Sequence, residues 1–181
     1  MKLTQIRNAT LLLEYAGNTF LIDPMLADKD AWPGFAGNAR PHLRNPMAEL
    51  PLPIEALLAV DAVIVTHTHM DHWDEAAQQL IPKTMMIYSQ NEGDAALIRS
   101  QGFAHVRVLQ DENPFVDGLT IYKRRVSTAA MHCMPTKSWA IFWAIPVVWC
   151  LSICQKKRST LPGIPSGLSL MSERCNVFSR R

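Results

Sequence analysis

Cysteine is absent from the first 132 residues, and all four cysteines, Cys133, Cys150, Cys154 and Cys175, come later. A disulfide framework or a thiolate metal site is therefore excluded from the larger part of the chain. Cys150 and Cys154 are spaced CxxxC, with no second pair and no histidine at zinc-finger spacing, so no structural metal is expected there. The N-terminus lacks the basic, then apolar, then small-residue order of a secretory leader, and a reducing cytoplasm is the expected compartment. Aspartate does not occur after Asp117, and Glu173 is the only acidic residue after Val126. The basic end, Arg180-Arg181 included, has no aromatic-interleaved platform, so no nucleic-acid partner is expected. There is no internal repeat.

With 181 residues the chain has the length of one domain able to bury a core. Hydrophobic residues make up 48% and charged residues 19%, an ordinary soluble composition. The formal charge of +2 hides a break. Residues 1–126 carry 11 Lys+Arg against 15 Asp+Glu, a net of −4, whereas residues 127–181 carry 7 against 1, a net of +6. Three of the five tryptophans and eight of the ten serines also fall after that point. Two regions follow: a readable 1–126 and an aberrant basic tail over 127–181.

Short strands are predicted at Leu3 to Arg7, Thr10 to Tyr15 and Thr19 to Ile22, the last two joined by the turn chemistry of Ala16-Gly17-Asn18. Pro24 to Pro53 is proline-rich and without period, which predicts a long surface excursion that either shapes a site entrance or is merely structural. Ile54 to Val60 reads as a short helix, and Asp61 to Val65 as a buried central strand. Beyond the histidines, Asp74 to Leu80 predicts a helix, Thr84 to Tyr88 a strand, Glu92 to Ser100 a helix stopped by Gly102, and Val106 to Leu109 a strand. Phe115 to Arg125 closes the readable part as a hairpin turned at Asp117-Gly118.

Three of the six histidines lie within six positions, in Thr66-His67-Thr68-His69-Met70-Asp71-His72, directly after the buried strand. In an extended segment residues two apart face the same way, so His67 and His69 can offer imidazoles to one cation. Asp71 and His72 can reach a second. Imidazole nitrogen and carboxylate oxygen suit zinc, and a catalytic zinc keeps one position open for water. The bland alternative is a set of exposed loop histidines, or core histidines satisfied by hydrogen bonds.

His67-Thr68-His69-Met70-Asp71-His72 resembles the HxHxDH signature of the metallo-β-lactamase superfamily. The strand ending Leu21-Ile22-Asp23-Pro24 resembles that superfamily's opening, and Leu3 to Tyr15 with Thr19 to Pro24 is similar to the branch related to L-ascorbate-6-phosphate lactonase. The resemblance covers roughly residues 1–126. It implies an α/β fold, the αβ/βα sandwich, with the N-terminal half intact and the C-terminal half missing or non-native. It implies two Zn2+ ions, with Mn2+ or Fe2+ as alternatives, His67 and His69 on one and Asp71 and His72 on the other. Asp71 is then the catalytic residue, holding the activated water in line. The implied reaction is hydrolysis of an ester, lactone or phosphoester-type small molecule.

The superfamily completes its site with a later histidine, a bridging aspartate and a final histidine. After His72 this chain has only His105, at the lead-in to a strand and read as structural, and His132. Asp111 and Asp117 precede the expected bridging position. A shifted reading frame from about residue 127 accounts for this. Stepping back one nucleotide, Met131-His132 must yield Ala, Met134-Pro135 Ala, Phe142-Trp143 Leu, and both Trp139-Ala140 and Trp143-Ala144 Gly. With permitted bases elsewhere, residues 127–149 reread as QHGGDALYADQKLGDFLGDxCGVV, a string resembling the family and supplying the absent histidine. The apolar run Ser138 to Cys154 is then accidental, although its literal reading is a short membrane segment flanked by Lys156-Lys157-Arg158. No membrane association is expected. The competing function class is a non-catalytic remnant or membrane-associated chain.

Overall fold

The computed structural model describes residues 1–34, 37, 40–116, 119–125, 149–157 and 172–179. The chain forms two compact units, Met1–Val108 and Leu109–Arg181.

In the first unit, β1 (Lys2–Arg7), β2 (Thr10–Tyr15) and β3 (Asn18–Ile22) form an antiparallel meander. Ala16 and Gly17 adopt φ of 52° and 80°, the left-handed pair that a two-residue hairpin loop needs to match strand twist, and Asn18 enters β3 directly. β4 (Ala62–Val65), β5 (Met86–Ser89) and β6 (His105–Val108) add to β3 in parallel, giving one six-stranded sheet in the order β1-β2-β3-β4-β5-β6. The short helices α1 (Ile54–Leu58) and α2 (Glu75–Leu80) and the longer α3 (Glu92–Ser100) provide the crossovers. Each predicted element of this unit is present, with boundaries moved by one or two residues.

β4 is buried along its whole length, which its Ala-Val-Ile-Val sequence anticipates for a central parallel strand covered on both faces. Val63 and Val65 join Leu21, Ile87, Trp73, Ala77, Ile81, Ala95, Ile98 and Phe103 in one apolar core beneath α2 and α3. Trp73 and Phe103 meet edge to face with centroids 5.5 Å apart, and Trp73 Nε1 donates to Gln101 Oε1 at 2.9 Å. α2 begins at Asp74, whose carboxylate accepts the Ala77 N–H at 2.6 Å, and α3 at Asn91, which accepts the Asp94 N–H at 2.9 Å. α3 ends as predicted, with Gly102 in the left-handed region at φ 92°.

The described residues of the excursion after Pro24 contain no helix, and Trp32 and Asn45 exchange two backbone hydrogen bonds of 2.8 Å. Its base is held firmly. The buried Arg7 guanidinium donates to the carbonyls of Met25 at 2.8 and 3.1 Å, Ala48 at 2.9 Å and Ala27. Asp74 accepts the Ala27 N–H at 2.8 Å, so the two peptide groups flanking Ala27 are held, one by Asp74 and one by Arg7. Desolvation by burial lowers the Arg7 pKa, against the opposing charges of Asp74, Glu49 and Asp28.

The second unit contains β7 (Glu112–Pro114), β8 (Leu119–Arg125), β9 (Trp149–Lys157) and β10 (Ser172–Ser179), an antiparallel sheet in the order β10-β9-β8-β7. The hairpin starts earlier than the predicted Phe115. The reason is Asn113, whose amide donates to the Gln110 and Ile121 carbonyls and accepts the Gln110 N–H, pairing the chain before Phe115 is reached. The predicted turn at Asp117-Gly118 lies outside the described residues. Two strands, β9 and β10, occur where turn signals and periodicity give no element. Residues 138–148 of the apolar run lie outside the described residues, and the rest of it is in β9. Among the described residues no helix is long and apolar enough to cross a membrane.

Candidate metal centre

The centre is built where parallel strands β3 and β4 end side by side. Asp23, the residue after β3, has φ 47° and is fully buried. Its N–H donates to the Ile64 carbonyl at 2.9 Å, which ties the end of β3 to β4. Its Oδ1 accepts the Thr66 N–H at 2.7 Å and its Oδ2 the Thr66 hydroxyl at 2.8 Å, fixing the first residue beyond β4. From Thr66 the chain leaves regular structure and turns back, with the N–H groups of His72 and Trp73 both donating to the His69 carbonyl, at 2.9 and 2.8 Å. That turn carries the four residues anticipated from the sequence.

The turn brings donor atoms of His67, His69 and Asp71 within 4.8 Å of one another. The His67 and His69 rings stand edge to face, with centroids 4.7 Å apart. His72 lies beneath them and is buried, its ring centroid 3.7 Å from that of His67. Its Nδ1 meets Asp23 Oδ2 at 2.9 Å and its Nε2 lies 3.4 Å from Asp71 Oδ2. The expected division paired Asp71 with His72. In the structure Asp71 falls in one group with both His67 and His69, and touches His72 as well.

The electrostatics suit ligation. Burial lowers the His67 pKa, and the neighbouring His72 lowers it further, which keeps this imidazole neutral and its lone pair available. For His72, burial pulls the pKa down, but the hydrogen bonds and charges of Asp23 and Asp71 outweigh it and the net shift is upward. For Asp71, burial pushes the pKa up and the hydrogen bond and charge of His72 overcome it, leaving a carboxyl below its ordinary value and ionised at neutral pH.

Two imidazoles and a carboxylate are the donor set of a catalytic zinc site. A separation of 4.8 Å or less is what small side-chain rotations close around one cation with bonds of about 2.1 Å. The residues present therefore fit a divalent cation, with His67, His69 and Asp71 as its holders. His105 begins β6 and is exposed, His42 is exposed in the excursion, and His132 lies outside the described residues. Asp111 lies just before β7 in the second unit. Thr66 was not singled out from sequence. The signal that finds it is the register: β3 and β4 pair Ile22 with Ile64, which leaves Asp23 level with Val65 and within reach of Thr66.

Residues 2–134 match the family model described as beta-lactamase superfamily domain. Among curated proteins, the chain is 44% identical to the UPF0173 protein YddR of Bacillus subtilis over 126 residues, 69% of this chain and 49% of that protein. It is 36% identical over 78 residues to N-acyl-phosphatidylethanolamine-hydrolyzing phospholipase D 1 of Caenorhabditis elegans, 43% of this chain and 20% of that protein. Among solved structures, an isothiocyanate hydrolase from Delia radicum gut bacteria superposes with a TM-score of 0.69 at 63% identity, covering 84% of this chain and 58% of that one. A possible metal-dependent hydrolase from Veillonella parvula superposes with a TM-score of 0.68 at 43% identity, covering 82% and 57%. The chain spans about half the length of YddR and of the two solved hydrolases, and a smaller part of the phospholipase D.

Proposed function

The chain belongs to the β-lactamase superfamily, with the mixed α/β metallo-β-lactamase fold and a metal-dependent hydrolase lineage, and from that membership we propose that it uses His67, His69 and Asp71 to hydrolyse a small electrophilic molecule. The observation that carries the proposal is the convergence of those three donors within 4.8 Å at the end of a buried strand. A bound divalent cation, zinc in this reading and Mn2+ or Fe2+ as alternatives, lowers the pKa of a coordinated water and polarises the atom under attack.

The chain's own residues do the rest. His67, kept neutral by its burial, and His69 would present ring nitrogens to the cation. Asp71, ionised at neutral pH, would offer its carboxylate as a ligand and hold the attacking water in line. The contact between His72 Nδ1 and Asp23 favours, in the neutral imidazole, the tautomer in which Nε2 carries the lone pair. In that neutral state His72 would hold a second cation together with Asp71, giving up the proton that Asp23 and Asp71 favour on it. A dinuclear zinc centre is thus part of the proposal, and so is a cytoplasmic location with a small-molecule substrate as sole partner.

For the substrate, 63% identity to an isothiocyanate hydrolase favours an isothiocyanate over the ester, lactone and phosphoester classes suggested by the motif. Water adds across the C=N bond of R–N=C=S to give R–NH–C(=S)–OH, whose hydroxyl proton shifts to sulfur to give the thiocarbamic acid R–NH–C(=O)–SH. Cleavage of its C–N bond, with the thiol proton passing to nitrogen, releases R–NH2 and carbonyl sulfide. The competing reading, a non-catalytic remnant or membrane-associated chain, draws on the lack of any aspartate after Asp117 to bridge two cations.

The test is turnover by the zinc-supplemented full chain on phenethyl isothiocyanate, a p-nitrophenyl ester, a lactone and a phosphodiester. Amine release that EDTA abolishes and that Asp71→Ala lacks supports the proposal. Absence of turnover on all four substrates supports the remnant.

A further inference from the structure

Thr68 sits between two of the ligands, and its side chain leaves the loop in a different direction. Its hydroxyl donates to Asp94 Oδ1 at 2.7 Å. The second oxygen, Asp94 Oδ2, accepts the Asn91 side-chain N–H at 2.7 Å, and Asn91 Oδ1 accepts the Asp94 N–H at 2.9 Å. Both oxygens of Asp94 are thus engaged, one with the cap of α3 and one with the metal-binding loop. Behind it α3 is anchored in the core through Ala95 and Ile98, both fully buried.

The loop needs such an anchor. Residues 66–69 belong to no helix or strand, so no ladder of backbone hydrogen bonds sets the direction of His67 and His69. Asp23 fixes the loop at Thr66, and the His69 carbonyl closes the turn that follows. Between these points lies the span of both imidazoles, and the Thr68 hydroxyl is the described side-chain bond that ties its middle to a rigid element. A bond at residue 68 constrains the φ and ψ angles on either side of it, and hence the separation of the ring nitrogens at 67 and 69.

We propose that Asp94 is a positioning residue for the metal centre, acting through Thr68 to hold His67 and His69 at ligating separation. Neither Asp94 nor Thr68 touches the cation or the substrate in this account. The inference rests on the reading of His67, His69 and Asp71 as metal holders.

The experiment is a cobalt(II) titration of the metal-free full chain, followed by the visible d–d absorption, for the wild type, Thr68→Val, Thr68→Ser, Asp94→Ala and the double variant Thr68→Val/Asp94→Ala. Thermal melting of each metal-free chain is recorded in parallel. Loss of a supporting hydrogen bond at a metal site weakens affinity by about 10-fold or more. Thr68→Val and Asp94→Ala are each expected to lose about that factor and to shift or weaken the d–d bands. Thr68→Ser, which keeps the hydroxyl, restores both. The double variant loses no more than the worse single one, because one interaction is removed twice. Wild-type affinity and spectrum in Thr68→Val, or strictly additive losses in the double variant, overturn the proposal while leaving the metal centre intact. A wild-type chain that takes up no cobalt overturns this inference and the metal-centre reading together.

Discussion

The carboxylate of Asp23 lies 2.9 Å from Nδ1 of His72, and both side chains are almost wholly withdrawn from solvent. One residue follows β3 and the other closes the turn after β4, so this contact locks two strand ends to each other and to the metal loop. A buried pair of this kind is costly to break from one side, because the remaining partner is left without compensation. Asp23→Ala removes the contact together with both Thr66 bonds. It is expected to destabilise the metal-free chain by about 3–5 kcal/mol, measured by urea unfolding, and Asp23→Asn, which keeps an oxygen for Thr66, by less. An unchanged midpoint for both variants contradicts this role.

His67 and His72 are expected to titrate on opposite sides of the ordinary imidazole value in the metal-free chain. His67 is depressed by burial, whereas His72 is raised because Asp23 and Asp71 outweigh its burial. The signs for stability follow by linkage. His72 contributes stability that is fully present below about pH 6.5 and is lost as pH rises through its raised value. His67 opposes folding where it must be protonated, so stability is lost as pH falls from about 6.5 through its depressed value. Asp71 contributes stability present above its unfolded value and lost as pH falls through its depressed one. Nitrogen chemical shifts of the labelled imidazoles across pH 4.5–9 read the order directly, and His67 titrating above His72 contradicts it.

Asp74 serves two masters, the N-terminus of α2 through Ala77 and the base of the excursion through Ala27. Burial raises its pKa, although the N–H groups of Ala27, Ala77 and Leu26 and the charge of Arg7 work to lower it. Asp74→Ala loses a cap worth about 0.5–2 kcal/mol and frees the Ala27 peptide as well. Asp74→Asn keeps the cap oxygen and is expected to lie between wild type and alanine. Protease cleavage within residues 27–48, faster in Asp74→Ala than in Asp74→Asn, checks the second function separately from the first.

Much of the first unit was legible in the sequence because its signals are local. The apolar run Asp61 to Val65 reads as a buried strand, and the helices predicted over Asp74 to Leu80 and Glu92 to Ser100 lie within one residue of those bounds. The metal loop was legible through the density of His67, His69, Asp71 and His72. What was not legible depends on register between strands far apart in the chain. Nothing local to Thr66 reveals its bonds to Asp23, 43 positions earlier. Nothing local to Asp94 reveals that a cap residue of α3 also reaches Thr68, 26 positions earlier. The start of β7 was misplaced because Asn113 reads as a loop residue until its bond to Ile121 is seen.

The change of composition near Val126 supports the proposal that residues from about 127 are translated out of frame. The gene is expected to carry codons there that, stepped back one base, encode QHGGDALYADQKLGDFLGDxCGVV. Sequencing across codons 120–150 checks it, and bases incompatible with that string end the idea.

The most direct test of the metal centre is elemental analysis of the purified full chain after zinc loading and exhaustive dialysis, beside a His67→Ala/His69→Ala variant whose melting is recorded in parallel. At least one zinc retained per wild-type chain, and its loss in a variant that still melts cooperatively, is the predicted result. A wild type that retains no zinc, or a folded double variant that retains as much as the wild type, contradicts the account.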